Sequence, residues 1–191
     1  MKNKFKKVFS TPFFSIDASI QKFDNSEPYY RVNTNDSVIC MLINKDNKII
    51  LVRQFRPNLN EYTLEFPAGY LEDNENIEHA AQREIIEETG YKTHVIYLGS
   101  MSLHLNRYTN KEHLFISYVE NQNDGFFSNE TEVKEYSICD FYNLVKNNQF
   151  KQLAALGIIE LFRLKYNISI SNNNNLYKNI KDLYESKQNT A

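Results

Sequence analysis

The sequence predicts an α+β fold: a mixed sheet carrying helices, preceded by a small N-terminal antiparallel sheet. Strand-length apolar runs recur along most of the chain, and one helical pattern interrupts them before residue 140. An all-parallel sheet needs a crossover helix between most strands, so this scarcity of helices argues for mixed pairing. The N-terminal sheet is indicated by punctuation: residues 1–36 break into short runs at Asp, Asn, Ser and Pro, the residues that favour turns.

Taken in order, Phe13–Ile16, Ile20–Phe23 and Tyr29–Val32 read as the strands of that first segment. Ser37–Ile43 and Lys48–Val52 flank the polar turn Asn44-Lys45-Asp46-Asn47 and read as a hairpin of buried strands. Thr63–Phe66 is a further strand, closed by Pro67-Ala68-Gly69. A helix is predicted from about Asn76 to Thr89, stopping at Gly90, a residue suited to the left-handed turn that ends helices. Strands follow at Val95–Ser102, His113–Val119 and Val133–Ile138, then helices at Asp140–Asn147 and Leu153–Tyr166. The Asn-rich stretch Ser171–Asn175 opens a polar tail with one helix over Tyr177–Glu185. The chain thus divides into an N-terminal β segment (1–36), a main domain (37–170) and the tail (171–191).

At 191 residues, 41% of them apolar and 14% aromatic, the chain supports one domain with a hydrophobic core. A net charge of −2 gives no broad basic field, which argues against nucleic acid or an anionic membrane as partner. No apolar run reaches membrane-spanning length, and the segment after the basic N-terminus is too broken for a signal peptide. Cys40 and Cys139 have no metal or redox spacing and read as reduced, packed thiols of a cytoplasmic protein.

The chemistry lies in Gly69–Tyr91, GYLEDNENIEHAAQREIIEETGY. With Ile77 as origin, a helix turning about 100° per residue puts Ala80 near about 300°, Ala81 near about 40° and Ile85 near about 80°. Glu84 at about 340° and Glu88 at about 20° fall inside that apolar arc, and Glu87 at about 280° lies on its edge. Polar positions such as Gln82 and Thr89 were free for these carboxylates. Buried carboxylates without partners are costly and normally pair or bind metal. Glu84 and Glu88, four apart, can address one site, and hard oxygen ligands suit Mg²⁺ or Mn²⁺. Arg83 can reach Glu87 on the next turn of the same helix.

This stretch resembles the Nudix box, Gly-x5-Glu-x7-Arg-Glu-U-x-Glu-Glu-x-Gly-U, where U is a bulky apolar residue. Gly69, Glu75, Arg83, Glu84, Ile85, Glu87, Glu88 and Gly90 all fall in register; Tyr91, at the last U, is less aliphatic than the pattern. The resemblance covers roughly residues 27 to 165. Val52-Arg53-Gln54-Phe55-Arg56-Pro57 and Leu64-Glu65-Phe66-Pro67-Ala68-Gly69 are similar to the ADP-ribose and ADP-sugar pyrophosphatase branch.

The resemblance implies a Nudix fold, an α/β/α sandwich with a mixed sheet. It implies Mg²⁺-dependent hydrolysis of the pyrophosphate of a nucleoside diphosphate-sugar, foremost ADP-ribose to AMP and ribose 5-phosphate, with Mn²⁺ an alternative metal. Glu84 and Glu88 become metal ligands, joined by the carbonyl of Ala68 and by Glu87 as ligand or holder of metal-bound water. Arg83 and Glu75 form the supporting ion pair, and Gly69 lets the backbone turn beside the metals. Arg56 meets a phosphate. Glu130 and Glu132 are the candidates for general base, and Glu112 for substrate or metal contact. Tyr29 and Tyr30 fall where the family stacks the base, or are ordinary strand aromatics. The branch is commonly homodimeric through its N-terminal sheet, a role open to residues 1–36; a plain extension of the sheet is the other reading.

One departure concerns specificity. Arg107 stands about where the branch carries the proline of a Pro-Gly, so Arg107 either touches the distal half of the substrate or is a solvated loop residue. GDP-sugars, dinucleotides or a nucleotide-like cofactor are the alternative substrates. A non-catalytic nucleotide-binding module is disfavoured, because every box carboxylate is present.

Overall fold

The computed structural model describes residues 4–22, 28–122 and 131–189. Along the chain run β1 (Phe5–Ser10), β2 (Ser15–Lys22), β3 (Pro28–Asn33), β4 (Ser37–Ile43), β5 (Ile49–Arg56), β6 (Glu61–Glu65), β7 (Ala68–Tyr70), α1 (Ile77–Thr89), β8 (Tyr91–Met101), β9 (Glu112–Gln122), β10 (Glu132–Tyr136), α2 (Ile138–Lys146), α3 (Leu153–Tyr166) and α4 (Leu176–Gln188). Strands β1, β2 and β3 form a separate antiparallel sheet. The other seven form a mixed sheet in the order β10-β5-β4-β9-β8, with β6 on β5 and β7 on β4. In it β4 and β9 are parallel, while β8 and β9 and β4 and β5 are antiparallel.

Strand β4 is central because it is apolar on both faces. Val38, Cys40 and Leu42 pack with Ala80, Ala81 and Ile85 of α1. Ile39, Met41 and Ile43 point the other way, into a larger cluster with Phe141 of α2, Ala155, Ile158 and Phe162 of α3, and Ile180 of α4. Alternation of side chains across a strand thus separates two cores and gives three layers, α1 on one face and α2, α3 and α4 on the other.

Several boundaries differ from the sequence reading, each for a local reason. The basic N-terminus forms β1, whose residues are mostly exposed and show no apolar alternation. Thr11–Phe14 is a turn, because the Thr11 hydroxyl oxygen accepts from the N–H groups of Phe13 and Phe14. Ser137 caps α2 by accepting from the Asp140 N–H, so that helix begins at Ile138, where a strand was expected to end. Asp36, placed with the N-terminal segment, is tied into the main sheet: it accepts from the N–H groups of Leu71 and Lys111, and His113 Nε2 lies 3.3 Å from its carboxylate. The polar tail carries α4, whose Leu176 and Ile180 are wholly buried against the sandwich. Cys40 is buried and its thiol is pushed up to about 12 by that burial. Cys139, expected to be packed, is exposed in the first turn of α2. No described helix is long and apolar enough to cross a membrane.

Candidate active site

The site is assembled where β7 meets α1. Strand β6 pairs with β5, whereas β7 pairs with β4 through Ile39↔Ala68 and Val38↔Gly69. Between them Phe66 and Pro67 carry the chain across, and β7, which the sequence reading had closed off at Pro67-Ala68-Gly69, lands beside α1. That helix starts on Asn76, whose side-chain oxygen accepts from Glu78 N–H at 2.8 Å, and ends on Gly90 at φ 70°. Its buried face, Ala80, Ala81 and Ile85, fixes its rotation. Glu84 and Glu88 therefore face the sheet end rather than solvent.

Both carboxylates lie against β7. The Ala68 N–H donates to Glu88 Oε2 at 3.1 Å. A Cβ on Gly69 would stand 2.0 Å from both Cδ and Oε1 of Glu84, so the glycine is there to leave room for that carboxylate. The tight turn expected at Gly69 is not the reason for it: the described glycines with positive φ are Gly90 and Gly99.

Arg83 organises the acidic cluster. It grips Glu75 as a fork, Nε to Oε1 at 2.8 Å and Nη2 to Oε2 at 2.9 Å. Nη1 donates to Glu84 Oε1 at 2.7 Å and to Glu87 Oε2 at 3.2 Å, and Nη2 also donates to the Tyr70 carbonyl at 3.0 Å. The Arg83 hydrogen bonds hold the Glu75 carboxyl down to about 2. Glu84 goes the other way: burial raises its pKa despite Arg83. Glu88 is pushed up to about 8, first by burial and then by the negative charges of Glu84 and Glu65, against the Ala68 N–H and Arg56. Glu87 is 54% exposed and keeps only an outward contact with Arg83.

The remaining sequence candidates fall in different places. Arg56, expected on a phosphate, forms a fork with the buried Glu65, Nε to Oε1 at 2.7 Å and Nη2 to Oε2 at 2.5 Å. Glu65 is held below its usual range by Arg56 and Thr63, which outweigh burial. Arg107 lies over the Tyr29 ring at 4.9 Å and donates to the Asn106 carbonyl, as does the Tyr29 hydroxyl. Tyr30 is exposed on β3. Glu112 opens β9 half-buried, its pKa raised by that burial. Glu132 is exposed on β10, its carboxylate held by Lys134 and Arg53, which lower its pKa. Glu130 lies outside the described residues.

Three contributors were missed. Glu65 sits on the buried side of β6 with Thr63, a placement that strand alternation could have flagged. Thr131 donates to the Glu88 carbonyl at 2.8 Å, and Gln152 bonds the backbone of Phe66; neither has a sequence signal, since each acts across a long chain separation. A cavity of about 320 Å³ adjoins the Arg56–Glu65 pair, lined also by Asn58, Thr63, Lys151 and Gln152. A larger one, about 520 Å³, lies beside α2 and the Asn-rich loop, away from the carboxylates, and gathers no reactive group beyond Cys139.

Glu84 is drawn onto Arg83 and Glu87 faces out, so among the described residues no three potential ligands are gathered as a set. The donors still suit a hard divalent cation: Glu84 and Glu88 are largely buried oxygen donors whose pKa values burial raises, so that a nearby cation would favour their charged forms.

A three-layer sandwich with an acidic helix set against a short glycine-bearing strand defines the class of fold to which the chain belongs. The family comparison is specific: the model described as NUDIX domain matches residues 33–156, and the chain belongs to the Nudix family. It is 37% identical over 112 residues to the ADP-sugar pyrophosphatase of Mus musculus, spanning 57% of this chain and 50% of that protein. It is 46% identical over 55 residues to the ADP-ribose pyrophosphatase of Bacillus subtilis, spanning 29% of this chain and 30% of that protein. The matches thus cover half or less of these relatives' length. The crystal structure of an ADP compounds hydrolase shares the fold, with TM-score 0.67 at 17% identity over 86% of this chain and 94% of that one.

Proposed function

We propose that this chain is a divalent-metal-dependent pyrophosphohydrolase of nucleoside diphosphate-sugars, with ADP-ribose, cleaved to AMP and ribose 5-phosphate, the foremost substrate. The observation that carries the reading is the convergence of Glu84 and Glu88 on Ala68 and Gly69, with Arg83 braced on Glu75. A cluster this acidic repels a pyrophosphate unless cations intervene. The identity to ADP-sugar and ADP-ribose pyrophosphatases supports the substrate class.

Mg²⁺, or Mn²⁺ in its place, would be held by Glu84, Glu88 and the Ala68 carbonyl, with Glu87 as a further ligand or an anchor for bound water. When present it neutralises the pyrophosphate and lowers the pKa of water. The chain's own residues do the rest. Arg83 keeps Glu84 and Glu87 in position and Glu75 keeps Arg83 there. Arg56 presents a guanidinium to a phosphate once Glu65 shares it. Glu130 and Glu132 are the two candidates for general base, and Glu132 is engaged by Lys134 and Arg53, which makes it the weaker base. Residues 1–36 supply the homodimer contact and the base-stacking Tyr29 and Tyr30.

Release of phosphate-containing products from ADP-ribose, GDP-mannose, other nucleoside diphosphate-sugars, NADH and diadenosine polyphosphates, with and without Mg²⁺, tests this reading. ADP-ribose should lead the ranking and chelation should abolish turnover. Preference for a GDP-sugar would move the substrate and keep the enzyme; no turnover on the whole panel would refute the reading.

A further inference from the structure

We propose that Gln152 is a positioning residue for the metal-binding carboxylates, acting through the backbone of Phe66 on the strand that Glu84 and Glu88 rest against. The inference rests on the hydrolase reading above and adds to it a residue far outside the box.

The need arises from the topology. Strand β6 leaves β5 after Glu65 and β7 joins β4 at Ala68, so the backbone between them has no strand partner on its open side. Phe66 is wholly buried at this step, and buried peptide groups must be hydrogen-bonded. Gln152 satisfies both of them: the Phe66 N–H donates to its Oε1 at 2.8 Å, and its Nε2 donates to the Phe66 carbonyl at 3.4 Å. The side-chain amide thereby stands in for a neighbouring strand. Leu64 and Phe150 already form a parallel bridge, and the same offset along the chain pairs Phe66 with Gln152.

Gln152 makes this contact from the start of a helix. It occupies the N-cap of α3 yet makes no side-chain hydrogen bond to that helix. The bonds then follow residue by residue. Pro67 has no N–H, and its carbonyl accepts from Cys40 N–H at 3.0 Å. The Ala68 N–H holds Glu88, and Gly69 makes room for Glu84. Freed from Gln152, this segment can shift along β4 and take both carboxylates out of register.

The test uses the full chain and three variants. Gln152→Leu loses both bonds. Gln152→Asn is one methylene short and cannot reach both groups. Gln152→Glu keeps the acceptor for the Phe66 N–H. Mn²⁺ binding, followed by electron paramagnetic resonance without substrate, should weaken about tenfold in Gln152→Leu and Gln152→Asn, and kcat on ADP-ribose should fall about tenfold while KM changes little. Gln152→Glu, which keeps the bond from the Phe66 N–H but turns an acceptor on the Phe66 carbonyl, should fall between wild type and Gln152→Leu in both measures. A thermal melt confirms folding, and Gln152→Asn decides if Gln152→Leu does not fold. Unchanged Mn²⁺ affinity and kcat in folded variants, with only a lower Tm, overturn the positioning role and leave the hydrolase reading standing. A wild-type protein that binds no Mn²⁺ sinks the metal reading and this inference with it.

Discussion

Gly69→Ala should separate catalysis from folding. The added methyl would sit 2.0 Å from Glu84 Oε1 and 2.3 Å from Oε2, whereas ordinary contact begins near 3.4 Å. Restoring that contact moves the carboxylate by about 1.4 Å, and a misplacement of about 1 Å at a reacting centre costs on the order of 100-fold. Such a loss is about 2.7 kcal/mol of transition-state stabilisation. The fold should be nearly indifferent, because the clash is with the far end of a flexible side chain, and Gly69 is not among the described residues with positive φ. Turnover of ADP-ribose at saturating Mg²⁺, set beside a thermal melt, reads both effects. We expect kcat reduced about 100-fold with Tm within about 5 °C of wild type. Wild-type turnover would falsify the placement of Glu84 at the site, and a protein that no longer folds would show that Gly69 serves the backbone instead.

Three other perturbations follow from the same contacts. Glu88→Gln should lower kcat at least about 100-fold without unfolding the protein, since the neutral amide still fills the space but cannot bind a cation as a carboxylate does; near-normal turnover at saturating Mg²⁺ removes it from the ligands. Arg83→Lys should fare almost as badly as Arg83→Ala, each losing about 10- to 100-fold, because a point charge cannot fork onto Glu75 while reaching Glu84 and Tyr70; full rescue by Lys would reduce the role to charge alone. Without metal, stability should decline as pH rises from the ordinary carboxylate range to about 8: the unfolded chain gives up the Glu88 proton first, and the folded one must then ionise a buried group. Glu75 has the opposite sign, its contribution being lost as pH falls toward about 2. Denaturant titrations of wild type and Glu88→Gln across that range check this, a wild-type slope retained in the variant being the contrary result.

The central hairpin, α1 and the carboxylates on its inner face were legible because each depends on spacing within a short window. Helical periodicity put Glu84 and Glu88 on the apolar arc, and the fold turns both inward there, half-buried against β7. What stayed hidden depends on pairing at a distance. Strand β7 is three residues long and exists only because β4 has an open flank beside it. Strand β1 is mostly exposed, so no apolar alternation announces it. Arg56 looked like a free phosphate ligand until the register of β5 and β6 set it beside Glu65. Helix α4 reads as polar because only Leu176 and Ile180 of its residues are wholly buried, while Tyr177, Leu183 and Tyr184 are half-buried against the core and polar residues fill most of the rest.

The two guanidinium systems also explain why the cluster can be acidic and still fold. Arg56 and Glu65 form a closed pair that adds almost no net charge. Arg83 is spread over Glu75, Glu84 and Glu87, and its firmest grip, the fork on Glu75 with the Tyr70 carbonyl beside it, lies at the edge of the box loop. Glu88 is left with one backbone N–H and with burial that favours its neutral form. On the proposed reading, a cation approaching β7 would compete with a proton at Glu88 and with a single Arg83 bond at Glu84. Releasing Glu84 leaves Arg83 still held by Glu75, so the scaffold that positions the helix survives the change at the site. On the proposed reading, stability and metal binding would draw on different contacts of the same arginine, which would let a cation rearrange the acidic site without the fold giving way.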